Sequence, residues 1–246
     1  MFHKAKHLRG FKLRATDGLI GKVEDLLFDD RFWTVRYLVA ETGGWLVDRQ
    51  VLISPYALKS VDEAGRTISV ELTKSQVEGS PALETDKPVS RQFEESYNWY
   101  YGWPQYWSGD LAWGAFAHVE RAREHWDLVG KNEHWDVHLR STTGVDGYGV
   151  HAKDGDIGHV EDFIVDEKTW SIRYLVIGTR NWWPGKKVIV PPQWIDSISW
   201  AESKVVLDLT QDAVRNSPEY TGESLPSREY EASLHGHYNR RGYWDE

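Results

Sequence analysis

The stretch from Ala15 to Pro81 returns without a gap 137 positions later as Ala152 to Pro218, and 25 of the 67 aligned residues are identical. Repetition at a fixed period has to be read before any local pattern, because each copy is then one structural unit rather than a part of a single core. The opening of the first copy, Ala15-x-Asp17-Gly18-x-Ile20-Gly21-x-Val23-Glu24-Asp25, matches Ala152-x-Asp154-Gly155-x-Ile157-Gly158-x-Val160-Glu161-Asp162. The match runs on through Trp33/Trp170, Arg36-Tyr37-Leu38-Val39/Arg173-Tyr174-Leu175-Val176, Trp45/Trp182, Pro55/Pro192, Leu72-Thr73/Leu209-Thr210 and Ser80-Pro81/Ser217-Pro218. The tails keep the same offset at Ser90-Arg91/Ser227-Arg228, Glu94/Glu231, Tyr101/Tyr238 and Tyr106-Trp107/Tyr243-Trp244. The chain therefore reads as a tandem duplication, residues 1–109 and 138–246, around a segment at 110–137 that has no copy.

Each copy reads as strands first and helices last. Phe11–Ala15 is extended, Asp17-Gly18 is a hairpin-type turn, and Leu19–Phe28 follows with Ile20, Val23 and Leu26 among polar residues. Thr34–Glu41 is rich in β-formers, and Val51–Ser54, Leu58–Val61 and Thr67–Leu72 supply shorter strands. Five or six short antiparallel strands with tight turns predict a small barrel or a strongly bent sheet. Thr73 and Thr210 are expected helix N-caps, with Lys74–Glu78 the short helix that follows the first, and Ser90–Tyr101 is expected to be helical. Ala112–Val129, with Phe116, Val119, Trp126 and Val129 at helical spacing, is expected to be a linker helix stopped by Gly130. The fold class is thus mainly β: two tandem small antiparallel barrels, each followed by short helices and joined by a linker helix. Such a duplication suggests that an ancestral homodimer became one chain.

On the motif Asp17-Gly18-x-x-Gly21-x-Val23-Glu24-Asp25, Asp29, Arg36-Tyr37-Leu38-Val39 and Val51-Leu52-Ile53-Ser54-Pro55, the sequence resembles the PRC-barrel family, which takes its name from the cytoplasmic domain of the photosynthetic reaction-centre H subunit. The second copy repeats it as Asp154-Gly155-x-x-Gly158-x-Val160-Glu161-Asp162, Asp166, Arg173-Tyr174-Leu175-Val176 and Val188-Ile189-Val190-Pro191-Pro192. The resemblance covers about 70 residues of each copy and implies a small all-β barrel used in assembly and recognition, with no catalytic constellation to carry over. The fold-defining positions are Asp17, Gly18, Gly21, Glu24, Asp25 and Arg36 in the first copy, and Asp154, Gly155, Gly158, Glu161, Asp162 and Arg173 in the second.

Composition narrows the function from the other side. A net charge of −9 argues against a nucleic-acid partner, since phosphate binding needs clustered Lys and Arg. With no Cys, disulfides, thiolate metal sites and a Cys nucleophile are excluded. No signal-peptide core and no apolar run of membrane-spanning length occur, so the expected location is cytoplasmic. No nucleophile elbow, P-loop or dinucleotide-binding glycine motif is present, so no enzyme and no cofactor are expected.

Three sets of residues could carry chemistry. The carboxylates Asp17, Glu24, Asp25 and Asp29, with Asp154, Glu161, Asp162 and Asp166, could ligate a hard cation, but their spacing is not that of an EF-hand. Turn formation and pairing with Arg36 or Arg173 account for them as parts of the fold. His118, His125, His134, His138, His151 and His159 cluster around the linker, and His134-x-x-x-His138 has one-turn spacing without the glutamate of a metalloprotease helix. An aromatic run from Tyr97 to Trp107 and the loop Trp182-Trp183-Pro184-Gly185-Lys186-Lys187 could stack on a ligand or partner. The candidate interaction surface is therefore Trp99, Trp103, Trp182, Trp183, Lys186 and Lys187. The expected role is an adaptor or assembly module binding an unidentified protein, with a homo-oligomer through exposed aromatics as a further expectation. The other reading is a small-ligand or metal-binding protein using the acidic hairpins or the aromatic tail.

Overall fold

The computed structural model describes residues 1–46, 49–81, 89, 91–103, 105, 138–179, 186–222 and 224–245. The expected linker helix lies outside these residues. The first copy contains β1 (Phe2–Lys4), α1 (Ala5–Leu8), β2 (Lys12–Ala15), β3 (Gly18–Asp29), β4 (Thr34–Glu41), β5 (Gln50–Ile53), β6 (Leu58–Asp62), β7 (Thr67–Val70), α2 (Lys74–Glu78) and α3 (Arg91–Tyr101). The second repeats the succession: β8 (Leu139–Ser141), α4 (Thr142–Val145), β9 (Gly149–Ala152), β10 (Gly155–Asp166), β11 (Ile172–Gly178), β12 (Lys187–Val190), β13 (Ile195–Ser199), β14 (Lys204–Leu207), α5 (Gln211–Arg215) and α6 (Arg228–His237).

These elements form two sheets of seven strands. In one, the order is β5-β4-β3-β2-β7-β6, and in the other it is β12-β11-β10-β9-β14-β13. The expected all-antiparallel pairing needs correction, because β2 pairs with β7 and β9 with β14 in parallel. The parallel partners are the first and last of the six strands that each copy contributes to its own sheet, and the connection between them is the rest of that sheet.

At the lead strands the pairing crosses from one copy to the other. The seventh strand of each sheet comes from the opposite copy: β8 pairs with β3, and β1 pairs with β10. The compact units are accordingly Leu8–Ser141, and Met1–His7 together with Thr142–Glu246. The boundaries expected at 1–109 and 138–246 follow the repeat, whereas hydrogen bonding crosses it at both lead strands.

Local chemistry accounts for the repeated irregularities. A register shift stands between Val23 and Asp25 and again between Val160 and Asp162, so Glu24 and Glu161 each sit at a β-bulge, where one extra residue bends the strand. Trp33 and Trp170 take left-handed backbone at φ 52° and 55°, and so do Arg66 and Ser203. Gly21 cannot carry a side chain: a Cβ there would lie 2.0 Å from the Glu41 carbonyl oxygen, and one on Gly158 would lie 1.9 Å from that of Gly178. Thr73 caps α2 in a capping box with Gln76, and the Thr210 hydroxyl accepts the Ala213 N–H at the start of α5.

Nearly every residue of β4 and β11 is buried. In the first unit, Tyr37, Val39 and Leu52 pack with Val89, Tyr97 and Leu139, flanked by Leu27, Phe93, Tyr101 and Trp103. Leu38 and Ala40 alternate with them and are fully buried on the other face. Helix α3 thus covers one side of β4, which explains a strand that is apolar on both faces.

Candidate functional site

The repeated acidic residues are spent one by one on the fold. Asp17 accepts the Lys74 N–H at 2.8 Å, and Asp154 accepts that of Gln211 at 2.7 Å, so each turn aspartate holds the start of a helix. Glu24 accepts from the Gln50 amide at 2.7 Å, while Glu161 pairs with Lys187 at 2.6 Å and lies 3.6 Å from His159. Asp25 accepts its neighbour's N–H at Leu26 and the hydroxyl of Ser141 on β8. Asp162 accepts the N–H groups of Phe163 and Lys6 at 2.8 and 3.0 Å. Burial pushes the Asp162 carboxyl up, against the pull of those two donors and of nearby Lys6 and Lys4.

The arginines pair as the sequence suggests. Arg36 lies 3.8 Å from Asp29, with both side chains buried, and Arg173 donates to Asp166 at 3.1 Å. Among the described residues, no three His, Asp or Glu side chains gather as they would around a metal ion. His138 stands directly before β8, its Nε2 3.0 Å from buried Glu94. His151 pairs with Asp156. His118, His125 and His134 lie outside the described residues, and with His134 so does the His134–His138 pairing.

The aromatic candidates separate. Trp99 is 86% exposed on α3, with Tyr100 beside it at 40%. Trp103 is half-buried, stacked on Tyr101 at 4.4 Å and tilted against Tyr97 at 5.9 Å. Burial pushes the Tyr101 hydroxyl up to about 12. Trp182 and Trp183 lie outside the described residues. Lys186 donates to the carbonyls of Arg215 and Ser217 at 2.6 and 3.1 Å, closing the end of α5. Arg49 does the same for Glu78 and Ser80 after α2. With Lys187 on Glu161, both lysines of the candidate surface have internal roles.

Two features escaped the sequence reading. The first is the pair of buried glutamates, Glu94 at 0% and Glu231 at 1% exposure. Glu94 accepts from the Tyr37 hydroxyl at 3.1 Å, and Glu231 from those of Tyr174 at 2.7 Å and Tyr243 at 3.1 Å. Arg228 lies 3.2 Å from Glu231 and stacks over Trp244 at 4.3 Å, and Arg173 stacks over Tyr243 at 4.0 Å. The signal available was the joint recurrence of Tyr37/Tyr174 and Glu94/Glu231 at one offset.

The second is the pairing edge at the end of β3, and of β10, that takes the lead strand. In the first unit, β8 lies on the end of β3 with Ser141 opposite Leu27, Arg140 opposite Phe28 and Leu139 opposite Asp29. Arg140 bonds Asp30 at 2.8 Å there; burial raises the Asp30 carboxyl and Arg140 pulls it back. In the second, β1 lies on β10 with Lys4 opposite Ile164, His3 opposite Val165 and Phe2 opposite Asp166. His3 lies 3.3 Å from Glu167, and Lys6 is 2.7 Å from Asp146.

The family profile described as PRC-barrel domain matches residues 2–77 and 150–214, together more than half of the chain. An uncharacterized protein of Deinococcus radiodurans is 32% identical over 116 residues, covering 44% of this chain and 39% of the relative. The chain thus spans well under half the length of that relative. Among the described residues, no helix is long and apolar enough to cross a membrane. Two copies of the motif, two sheets with matching bulges and matching left-handed residues, and the profile match agree: the chain belongs to the PRC-barrel domain family.

Proposed function

We propose that this chain is a non-enzymatic adaptor, an assembly module that holds protein partners. One observation carries the reading: the repeated polar residues bond to helix ends, to backbone and to one another, whereas a large apolar side chain, Trp99, stands 86% exposed on α3 beside the well-packed Tyr97–Tyr101–Trp103 cluster. An exposed tryptophan on a buttressed helix is the type of anchor that dominates protein interfaces.

Affinity capture from native lysate with the tagged chain, with and without Trp99→Ala, tests this role. Truncating an interface tryptophan costs about 2 kcal/mol or more, so a specific partner should be lost by roughly 30-fold in the variant. A thermal shift with divalent metal or a sugar, together with no retained protein, would instead favour the small-ligand reading.

A further inference from the structure

We infer that the groove along the end of β3, and its counterpart along β10, where the lead segment of this same chain is seated, also accepts the lead segment of a second copy of the chain. This builds on the assembly role and names its partner. The two grooves use identical registers at the repeat offset: Ser141 opposite Leu27 corresponds to Lys4 opposite Ile164, and Arg140 opposite Phe28 corresponds to His3 opposite Val165. The anchoring contacts correspond as well, with Arg140 on Asp30 in one groove and His3 on Glu167 in the other. Asp25 and Asp162 occupy equivalent groove positions and accept from Ser141 and from the Lys6 backbone respectively.

The charges are complementary on both sides. The grooves present Asp25, Asp30 and Glu94, or Asp162 and Glu167, while the segments that fill them bring His138 and Arg140, or His3, Lys4 and Lys6. A short extended strand adds through main-chain hydrogen bonds and is selected by its flanking side chains. Because the repeat carries both the groove and the segment, every copy is complementary to every other. A strand donated in trans makes the same bonds as one donated in cis, which is the condition for low-cost exchange between molecules.

The balance is then set by effective concentration. The tethered segment has the advantage of effective concentration, so trans occupancy should rise with protein concentration.

The absence of cysteine makes the site directly testable by disulfides. Leu27→Cys and Ser141→Cys face each other in register and are both only partly buried. Placed together in one chain, they should close an intrachain disulfide. Placed singly in two chains that are unfolded, mixed and refolded together, they should give a mixed covalent dimer that rises with concentration from ~1 µM to ~1 mM and exceeds either homodimer. As a second measurement, an untagged wild-type chain should be co-captured with a tagged one after joint refolding near ~1 mM. No intrachain disulfide in the double variant refutes the groove, while its closure with no mixed dimer and no co-capture up to ~1 mM refutes exchange in trans. Either failure leaves the lysate partner of Trp99 untouched, and loss of that partner leaves the disulfides untouched.

Discussion

Replacing Gly21 or Gly158 with alanine tests the close approach of β3 to β4 and of β10 to β11. A Cβ would meet the facing carbonyl oxygen at 2.0 Å in the first unit and 1.9 Å in the second, with neighbouring backbone carbons at 2.8 to 3.1 Å. Relief requires the strands to part by more than 1 Å, because the obstacle is backbone and cannot rotate away. A ladder bond lengthened that far no longer counts as a hydrogen bond. Losing two such bonds at about 1 kcal/mol each, plus about 1–2 kcal/mol for buried groups left unsatisfied, gives a cost near 3–4 kcal/mol. The alanine returns about 0.7 kcal/mol by restricting the unfolded chain, so the net loss is about 3 kcal/mol. At ~4 °C per kcal/mol, the affected unit should melt roughly 12 °C lower. Calorimetry and urea titration followed by circular dichroism read this out, with the loss falling in the unit that carries the change. Gly44→Ala, with nothing within 4 Å of the new atom, is the control and should stay within about 0.5 kcal/mol of wild type. A Gly21→Ala protein as stable as that control would refute the close-approach account.

Gly236→Ala acts in the opposite direction: the residue lies within α6 and a Cβ meets nothing within 4 Å, so its unit should gain about 0.8 kcal/mol in urea titration. Asp162→Asn keeps an acceptor for the Lys6 and Phe163 N–H groups but removes a carboxyl whose folded pKa is raised above 3.8, chiefly by burial. The folded carboxyl there binds its proton more readily than the unfolded one, so stability is full below the ordinary value and falls as pH rises through the raised one; thermal melts across that window should be flatter in the variant. His235 is shifted the other way, held below 6.5 by burial against Trp194 and Trp244. Here the unfolded chain takes up the proton first, so stability is full above 6.5 and lost as pH falls below it. His235→Asn, which installs the residue found at the matching position 98, should remove that loss in melts run between neutral and mildly acidic pH.

Much of the fold was readable because it is encoded locally. The Asp17-Gly18 turn, the β-forming run at Thr34–Glu41 and the Thr73 and Thr210 caps need only neighbouring residues, and the observed elements fall within a residue or two of expectation. The parallel pairing of β2 with β7 was not readable, because Lys12 and Thr67 meet only after the intervening strands have turned the chain back. Strand exchange was hidden for a more specific reason. In a duplicated chain, the lead segment of either copy satisfies the same groove, so hydrophobic pattern and register are the same with or without exchange. The partners of Lys186 and Lys187, the last carbonyls of α5 and Glu161, were not readable either, because they are remote in sequence. Trp99 and Trp103 both lack a repeated counterpart, yet only Trp99 is exposed, because Trp103 stacks back on Tyr101.

The buried glutamates show how the two units have come to depend differently on the exchanged segment. Glu231 draws on Tyr174, Tyr243 and Arg228, all within its own copy. Glu94 draws on Tyr37 and on His138, which arrives with the other copy's lead strand. The residue matching His138 at the repeat offset is Met1, which brings no such group to Glu231. The first unit should therefore suffer more from losing this part of the lead segment. His138→Leu removes a polar side chain 3.0 Å from a carboxyl group that water does not reach, and leaving a buried polar group without its neighbour costs about 1–3 kcal/mol. If that cost is the exposed need of the charge rather than lost packing, Glu94→Gln should restore much of it, since a neutral amide can still accept from Tyr37 without a buried charge. The double-mutant cycle, measured by urea titration, should give a coupling of about 1–2 kcal/mol between the two positions. Additive losses from the two substitutions would mean that His138 serves the first unit through its shape alone.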